Sequence, residues 1–282
     1  MIPFIHHQIR QLIDMALDED VGRGDITTEA TIPDRAMAHA RLATKQDVIV
    51  AGMEVFRAVF ASIDGSLAIQ MHRQDGDDVA TGTALAELDG RARSLLMGER
   101  VALNFLQRLS GIATLTRRYV EAIRGYHAHI IDTRKTTPGW RLLEKYAVRV
   151  GGGHNHRHDL GDGVLIKDNH IVAAGGIQAA VNAARARSHH LLKIEVEAAT
   201  LAQVEEALRA GVEVIMLDNM DLPTMAQAVK QIGGRALVEA SGGISLESVV
   251  DVARTGVDLI SVGKLTHSAP AVDIHLKFDP SK

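Results

Sequence analysis

The densest chemistry in the chain lies between Asp132 and His170. From Arg134 to Arg157 there are six basic residues (Arg134, Lys135, Arg141, Lys145, Arg149 and Arg157) against one acid, Glu144. Over the whole chain, 35 Asp and Glu outnumber 31 Lys and Arg, so this is a local concentration of positive charge. Guanidinium groups grip carboxylates and phosphates bidentately, and such a cluster beside a strand end points to an anionic small molecule. Arg134, Lys135 and Arg157 adjoin a strand end or the glycines at 151–153 and are the candidates. Arg141, Lys145 and Arg149, spaced i, i+4, i+8, read instead as a solvated helix face.

The same stretch alternates His154, His156 and His158, which on an extended segment would face one way, as metal ligands can. No carboxylate stands at a recognised ligand spacing. The better reading is one functional imidazole, with the others packed or solvated. In KIEVE, Lys193, Glu195 and Glu197 share one strand face. A strand covered on both sides forces such charges to pair or to line a site, because an unpaired buried charge is costly. Glu195 reads as a structural ion-pair partner. Glu197, with Asp218 at comparable depth one strand later, suits Mg²⁺ ligation, sugar-hydroxyl contacts or stabilisation of a developing positive charge. Ser241-Gly242-Gly243 and Gly263-Lys264 follow the last two predicted strands, where converging backbone N–H groups commonly bind phosphate.

The elements that must position these groups fall into two textures. The first hundred residues read as mixed α+β: a helix over 3–20, strands over 36–43, 47–51 and 67–71, and a helix over 53–62. A long helical pattern over 93–124 is interrupted at Ser110-Gly111. After residue 125, short apolar strands at 128–131, 163–166, 191–196, 213–217, 235–238 and 258–262 alternate with amphipathic helices such as 201–210, 225–232 and 246–255. That alternation predicts βαβ units and a parallel sheet. Polar residues end nearly every strand, which fits a barrel better than a single crevice. The expectation is an α/β protein. A (β/α) barrel with an open or incomplete strand count spans 110–268, and an N-terminal α+β sandwich-like domain spans 1–109, with the tail 269–282 packed against it. A net charge of −4 argues against a protein that coats nucleic acid. The absence of cysteine excludes disulfides, iron–sulfur clusters and a thiol nucleophile. No apolar run reaches the ~18 residues of a membrane span and no signal peptide is visible, so a cytoplasmic location is expected.

The string DTRKTTPGWRLLEKYAVRVGGGHNHR, followed by DGVLIKDNHI, resembles the quinolinate phosphoribosyltransferase family, also called nicotinate-nucleotide pyrophosphorylase (carboxylating). GERVALNFLQRLSGIAT, KIEVEA, MLDNM, EASGGI and SVGKLTHSAPAVDI resemble further blocks of that family in the same order, so the likeness covers essentially the whole chain. It implies transfer of phosphoribose from phosphoribosyl pyrophosphate to quinolinate with loss of CO₂, using Mg²⁺, in de novo NAD biosynthesis. It implies that Arg134, His156, Arg157 and Lys167 grip the quinolinate dicarboxylate and that Arg100 does so from the partner subunit of a homodimer with shared sites. Ser241, Gly242, Gly243, Gly263 and Lys264 would hold the 5′-phosphate. Lys135, Glu197 and Asp218 would carry the transfer, the two acids also as tentative Mg²⁺ ligands. Two alternatives stay open from the residues themselves: a barrel that binds an anion without turning it over, and a phosphoribosyltransferase that takes nicotinate.

Overall fold

The computed structural model describes residues 7–279. The elements of its first third are α1 (His7–Val21), α2 (Ile26–Thr31), β1 (Met37–Thr44), β2 (Val48–Ile49), α3 (Met53–Ile63), β3 (Ala68–Met71), β4 (Asp78–Val79), β5 (Ala84–Arg91) and α4 (Ala92–Ala122). Then come β6 (His129–Ile131), α5 (Arg141–Val150), β7 (Val164–Ile166), α6 (Asp168–Ala174), α7 (Ile177–Arg187), β8 (Ile194–Ala198) and α8 (Leu201–Ala210). The last are β9 (Val214–Asp218), α9 (Leu222–Ile232), β10 (Leu237–Ser241), α10 (Val249–Arg254), β11 (Leu259–Ser261), α11 (Lys264–His267) and β12 (Ile274–Phe278).

These elements form two compact units. The first comprises the chain up to Arg117, the segment Thr137–Gly152 and the residues from Ser268 onward. Its main sheet is antiparallel, in the order β12-β1-β5-β3. Ala40 and Leu42 on β1 and Leu85, Ala86 and Leu88 on β5 are buried, as are Val55, Phe56, Val59 and Phe60 of α3. The helical pattern over 93–124 is expected to break at Ser110-Gly111, but α4 runs through as one uninterrupted helix. A Cβ at Gly111 would lie 2.1 Å from the Pro270 carbonyl oxygen. The glycine therefore permits close approach of the tail and does not end the helix.

The reading of Arg141, Lys145 and Arg149 as one solvated face is corrected by α5. Arg149 is exposed, but Lys145 and its neighbour Glu144 are completely buried. Six consecutive residues, Leu143 to Val148, are buried, so this helix is enclosed around most of its circumference and a basic i, i+4, i+8 spacing does not mark a water-facing stripe. Glu144 Oε2 accepts from the Thr137 N–H (3.0 Å), and its Oε1 accepts from the Thr137 hydroxyl (2.9 Å) and Arg108 Nη2 (3.0 Å). Trp140, just before the helix, stacks on Phe105 of α4 at 4.7 Å.

The second unit, 118–136 and 153–267, holds six parallel strands in the order β6-β11-β10-β9-β8-β7. A parallel bridge between Ile131 and His154 adds an extended segment beyond β6. This is the expected barrel-like (β/α) arrangement with an incomplete strand count. Helices between the strands begin and end on local signals: Thr200 and Asp221 accept N–H groups at the starts of α8 and α9, and Gly211 and Gly233 close them in the left-handed conformation. Along the strands, Ile194, Val196, Ile215, Leu217, Val238, Ala240 and Ile260 are buried on one face. The alternate positions, Glu195, Glu197, Met216, Asp218, Glu239 and Ser241, make up the other, and register aligns Glu197, Met216 and Glu239.

Candidate active site

The carboxyl ends of the parallel strands carry most of the residues singled out above. After β6, the Thr133 hydroxyl accepts the Lys135 N–H at 3.0 Å, and buried Thr266 donates its hydroxyl to the Lys135 carbonyl at 2.7 Å. The Thr-Arg-Lys turn is thereby held to the loop after β11. A Cβ at Gly263 would lie 3.1 Å from Lys135 Cδ and 3.2 Å from the His267 ring, so the lysine side chain runs over the Gly263 backbone. Lys264 itself is exposed. After β7, Lys167 is the N-cap of α6, and His170 Nδ1 reaches back to accept the Lys167 N–H at 2.9 Å. This gives the Lys-Asp-Asn-His spacing a mechanical meaning: the histidine fixes the turn that presents the lysine. Lys167 Nζ forms an ion pair with Glu197 at the end of β8. Asp218 and Ser241 are register partners at the ends of β9 and β10.

Arg134 and Arg157 share this environment. The proximity of Arg134 works together with burial to pull the Arg157 guanidinium below its usual range, which nearby Glu195 and Glu197 oppose; burial is the larger cause. Arg157 Nη1 donates to the Gly163 carbonyl at 2.8 Å. Its Nε, and that of Arg134, are buried with no hydrogen-bond partner among the described residues. Leaving a charged donor buried and unmatched is expensive, so two such atoms ask for an acceptor.

Beneath the rim sits a group that sequence reasoning did not assemble. Asp132, fully buried at the end of β6, accepts the His156 N–H (2.9 Å) and Asn155 Nδ2 (2.6 Å). These bonds aim the His156 ring inward, where its Nε2 lies 3.1 Å from Glu195 Oε2 and 3.8 Å from Glu239 Oε2. Glu239 is 1% exposed. Burial, reinforced by the Glu195 charge beside it, pushes the Glu239 carboxyl well above the usual range. One oxygen of each glutamate is buried without a partner.

His156, Glu195 and Glu239 are also the one group of three among the described residues whose ligand-capable atoms all lie within 4.8 Å of one another. The geometry of the ring speaks against an ion on Nε2. His156 Nδ1 accepts the Arg157 N–H at 2.7 Å, so the ring proton belongs on Nε2, where it faces Glu195. The three alternating histidines do not converge: His154 is exposed and lies against the His129 ring at 4.8 Å. A cavity of about 280 Å³ opens beside this cluster, lined by His156, Arg157, Lys193 and Glu195 among others.

Of the expected site residues, Arg134, Lys135, His156, Arg157, Lys167, Glu197, Asp218, Ser241, Gly242, Gly243, Gly263 and Lys264 all lie in the second unit, at or just below the strand ends. Arg100 is exposed on α4 in the first unit. Glu239 stands among the polar residues that end the strands, but its place as the partner of Glu195 and His156 is not carried by any spacing in the sequence. Asp132, Thr266 and His170 act by hydrogen bonds across or along the chain; for Asp132 and Thr266 no spacing announces the partner.

The chain is similar to known proteins along nearly its whole length. The family model described as quinolinate phosphoribosyl transferase, C-terminal domain, matches residues 112–277, and that of the N-terminal domain matches residues 25–110. A protein named quinolinate phosphoribosyltransferase [decarboxylating] 1b, from Nicotiana tabacum, is 43% identical over 292 aligned positions, covering 97% of this chain and 83% of the relative. The crystal structure of NadC from Streptococcus pyogenes superposes with a TM-score of 0.92 at 44% identity, covering 97% of this chain and 98% of that one. The nicotinate-nucleotide pyrophosphorylase from Francisella tularensis gives 0.92 at 39% identity, covering 96% of each.

Proposed function

Because the chain belongs to the quinolinate phosphoribosyltransferase family, we propose that it transfers phosphoribose from phosphoribosyl pyrophosphate to the ring nitrogen of quinolinate. The products are nicotinate mononucleotide, pyrophosphate and CO₂, a step of NAD biosynthesis. The observation that carries this reading is the pair of buried, unmatched guanidinium donors, Arg134 Nε and Arg157 Nε. Together with Lys167 they supply three positive charges for an acceptor with two carboxylates.

The division of labour follows from position. Arg134, Arg157 and Lys167 bind and orient the pyridine dicarboxylate. His156, both of whose nitrogens are engaged by the protein, supports Arg157. The exposed Gly242 and Gly243, with φ of 104° and 60°, turn backbone toward the strand ends beside Ser241, where the donor's 5′-phosphate is received with help from Gly263 and Lys264. Glu197 and Asp218 stabilise positive charge that grows at the sugar carbon as pyrophosphate leaves, and Lys135 neutralises the leaving group. After transfer, the carboxylate beside the ribosylated nitrogen departs as CO₂. The electron pair of the broken C–C bond stays on that ring carbon, stabilised by the adjacent pyridinium nitrogen, and takes a proton from water to form the C–H bond of the product, while the protein's cations hold the ring.

Magnesium fits the donor set. Glu197 and Asp218 offer hard oxygens at the ends of adjacent strands, and one oxygen of each is engaged by a protein neighbour, Lys167 and Asn219. Mg²⁺ commonly takes one or two carboxylates together with water and substrate phosphates, and held by Glu197 and Asp218 it would neutralise pyrophosphate charge. Arg100 is assigned to the site of a partner subunit, which makes a homodimer the active form; no helix is long and apolar enough to cross a membrane, and a cytoplasmic location is proposed.

The test is product formation from phosphoribosyl pyrophosphate and Mg²⁺ with quinolinate, and in parallel with nicotinate. Nicotinate mononucleotide with equimolar CO₂ from quinolinate alone is expected. Turnover of nicotinate would overturn the dicarboxylate reading. For the shared site, Arg100→Ala chains mixed with Lys167→Ala chains should regain activity, and mixtures that stay inactive would refute it.

A further inference from the structure

We propose that Asn219 is a positioning residue that locks the Asp218 carboxylate to the Ser241–Gly242 turn. Asn219 is the single non-glycine among the described residues with positive φ, at 53°. L-residues enter that region at a cost, and such outliers persist where surrounding contacts hold them and where their placement serves a site. Three contacts hold this one. The Asn219 N–H donates to the Ser241 carbonyl at 3.0 Å, tying the end of β9 to the end of β10. Its side-chain Nδ2 donates to Asp218 Oδ2 at 3.1 Å. Its side-chain amide also covers the backbone at Gly242, where an added Cβ would fall 2.2 Å from Asn219 Oδ1 and 2.6 Å from its Cγ.

The combination is specific to asparagine in a left-handed turn. The turn at 219 folds the side chain back so that one end reaches Asp218 and the body rests on Gly242. Asp218 is only half-buried and the Asp218–Asn219 bond is exposed. Without the amide, the carboxylate would swing among rotamers in water, and the Gly242 backbone would lose the group packed on it. Through contacts with Asp218, Ser241 and Gly242, Asn219 thus fixes two features that must face the same ligand, the acid beside the sugar carbon and the loop that takes its 5′-phosphate.

This role rests on the assignment of Asp218 and the Ser241–Gly243 turn to the phosphoribosyl donor, and the experiment separates the two. Asn219→Gly keeps the left-handed backbone, indeed relieves it, and removes only the amide. Asn219→Asp keeps shape and left-handed tolerance but replaces the donated N–H with a second negative oxygen. Both are measured beside Asp218→Asn, with melting temperature and with kcat and KM for each substrate. The expected result is a melting temperature for Asn219→Gly within about 2 °C of the parent. It should be accompanied by a loss of about tenfold or more in kcat/KM for phosphoribosyl pyrophosphate, the scale of one hydrogen bond to a charged group. Quinolinate affinity, read by equilibrium binding without donor, should be unchanged, and Asn219→Asp should be at least as impaired as Asn219→Gly. Full activity in Asn219→Gly or in Asn219→Asp would overturn the proposal, as would a loss in Asn219→Gly that tracks a fall in melting temperature and weakens quinolinate binding equally. If Asp218→Asn itself keeps full activity, the assignment of Asp218 fails; if it is inactive while Asn219→Gly is normal, only the role of Asn219 fails.

Discussion

The raised Glu239 carboxyl makes a prediction about stability whose sign and slope can be worked out. Glu239 is 1% exposed, stands 3.8 Å from His156 Nε2, and faces the Glu195 carboxylate and the Ser261 hydroxyl. Its carboxyl is held well above the usual value, chiefly by burial and then by Glu195. In the unfolded chain the same group titrates near the ordinary glutamate value of about 4.3. The folded state therefore binds a proton that the unfolded state releases as pH rises past that point. The stabilisation from this proton is fully present below about pH 4.3 and is lost progressively toward the raised folded value, with a maximal slope of about 1.4 kcal/mol per pH unit. Glu239→Gln is nearly isosteric and keeps a polar group beside Glu195 without a titratable proton. The variant carries no proton to release. Its melting temperature should match the parent's near pH 4.5–5 and exceed it increasingly toward neutrality, by about 3–6 °C for each pH unit within the window. The assay is a series of thermal melts of both proteins from pH 5 to pH 8 at fixed ionic strength. Parallel curves for the two proteins would show that Glu239 is ionised in the fold and that the assignment of the proton is wrong.

Two further substitutions test other parts of the structure. Lys167→Ala removes both a cation from the strand-end cluster and the ion-pair partner of Glu197; kcat/KM for quinolinate should fall about 10- to 150-fold, the worth of a charge-assisted bond, and an unchanged steady-state constant would refute the substrate role. Glu144→Ala strips three acceptor contacts from a fully buried site and leaves the Thr137 N–H and Arg108 short of partners. Breaking such a group costs about 3–5 kcal/mol, and because Arg108 retains some solvent access the lower end applies, a fall of roughly 6–12 °C in melting temperature by calorimetry.

How far the site was legible depended on whether its physics is local in sequence. The Lys-Asp-Asn-His turn and the Thr-Arg-Lys turn are short-range structures: His170 reaches back three residues and Thr133 forward two, so the same residues that act also announce themselves by spacing. The Asp218–Ser241 alignment followed from the βαβ pattern, because parallel strands in sequence order bring their carboxyl ends together. What failed was inference of environment from a single element. Helical spacing of Arg141, Lys145 and Arg149 measures which residues share a face, but burial of that face is decided by elements remote in sequence, and those enclose Lys145. Ser110-Gly111 looked like a break because glycine weakens a helix; the compensating contact with Pro270 is contributed by a segment about 160 residues away. Glu239 and Glu195 show the same limit in sharper form. Each was visible as a charge in an apolar strand, yet their mutual influence, which raises the Glu239 carboxyl, arises only when β8 and β10, separated by β9, turn the same face toward His156. A charge in a buried strand is therefore better read as half of an unidentified pair, and the search for its partner should run along the corresponding positions of the other strands rather than along its own.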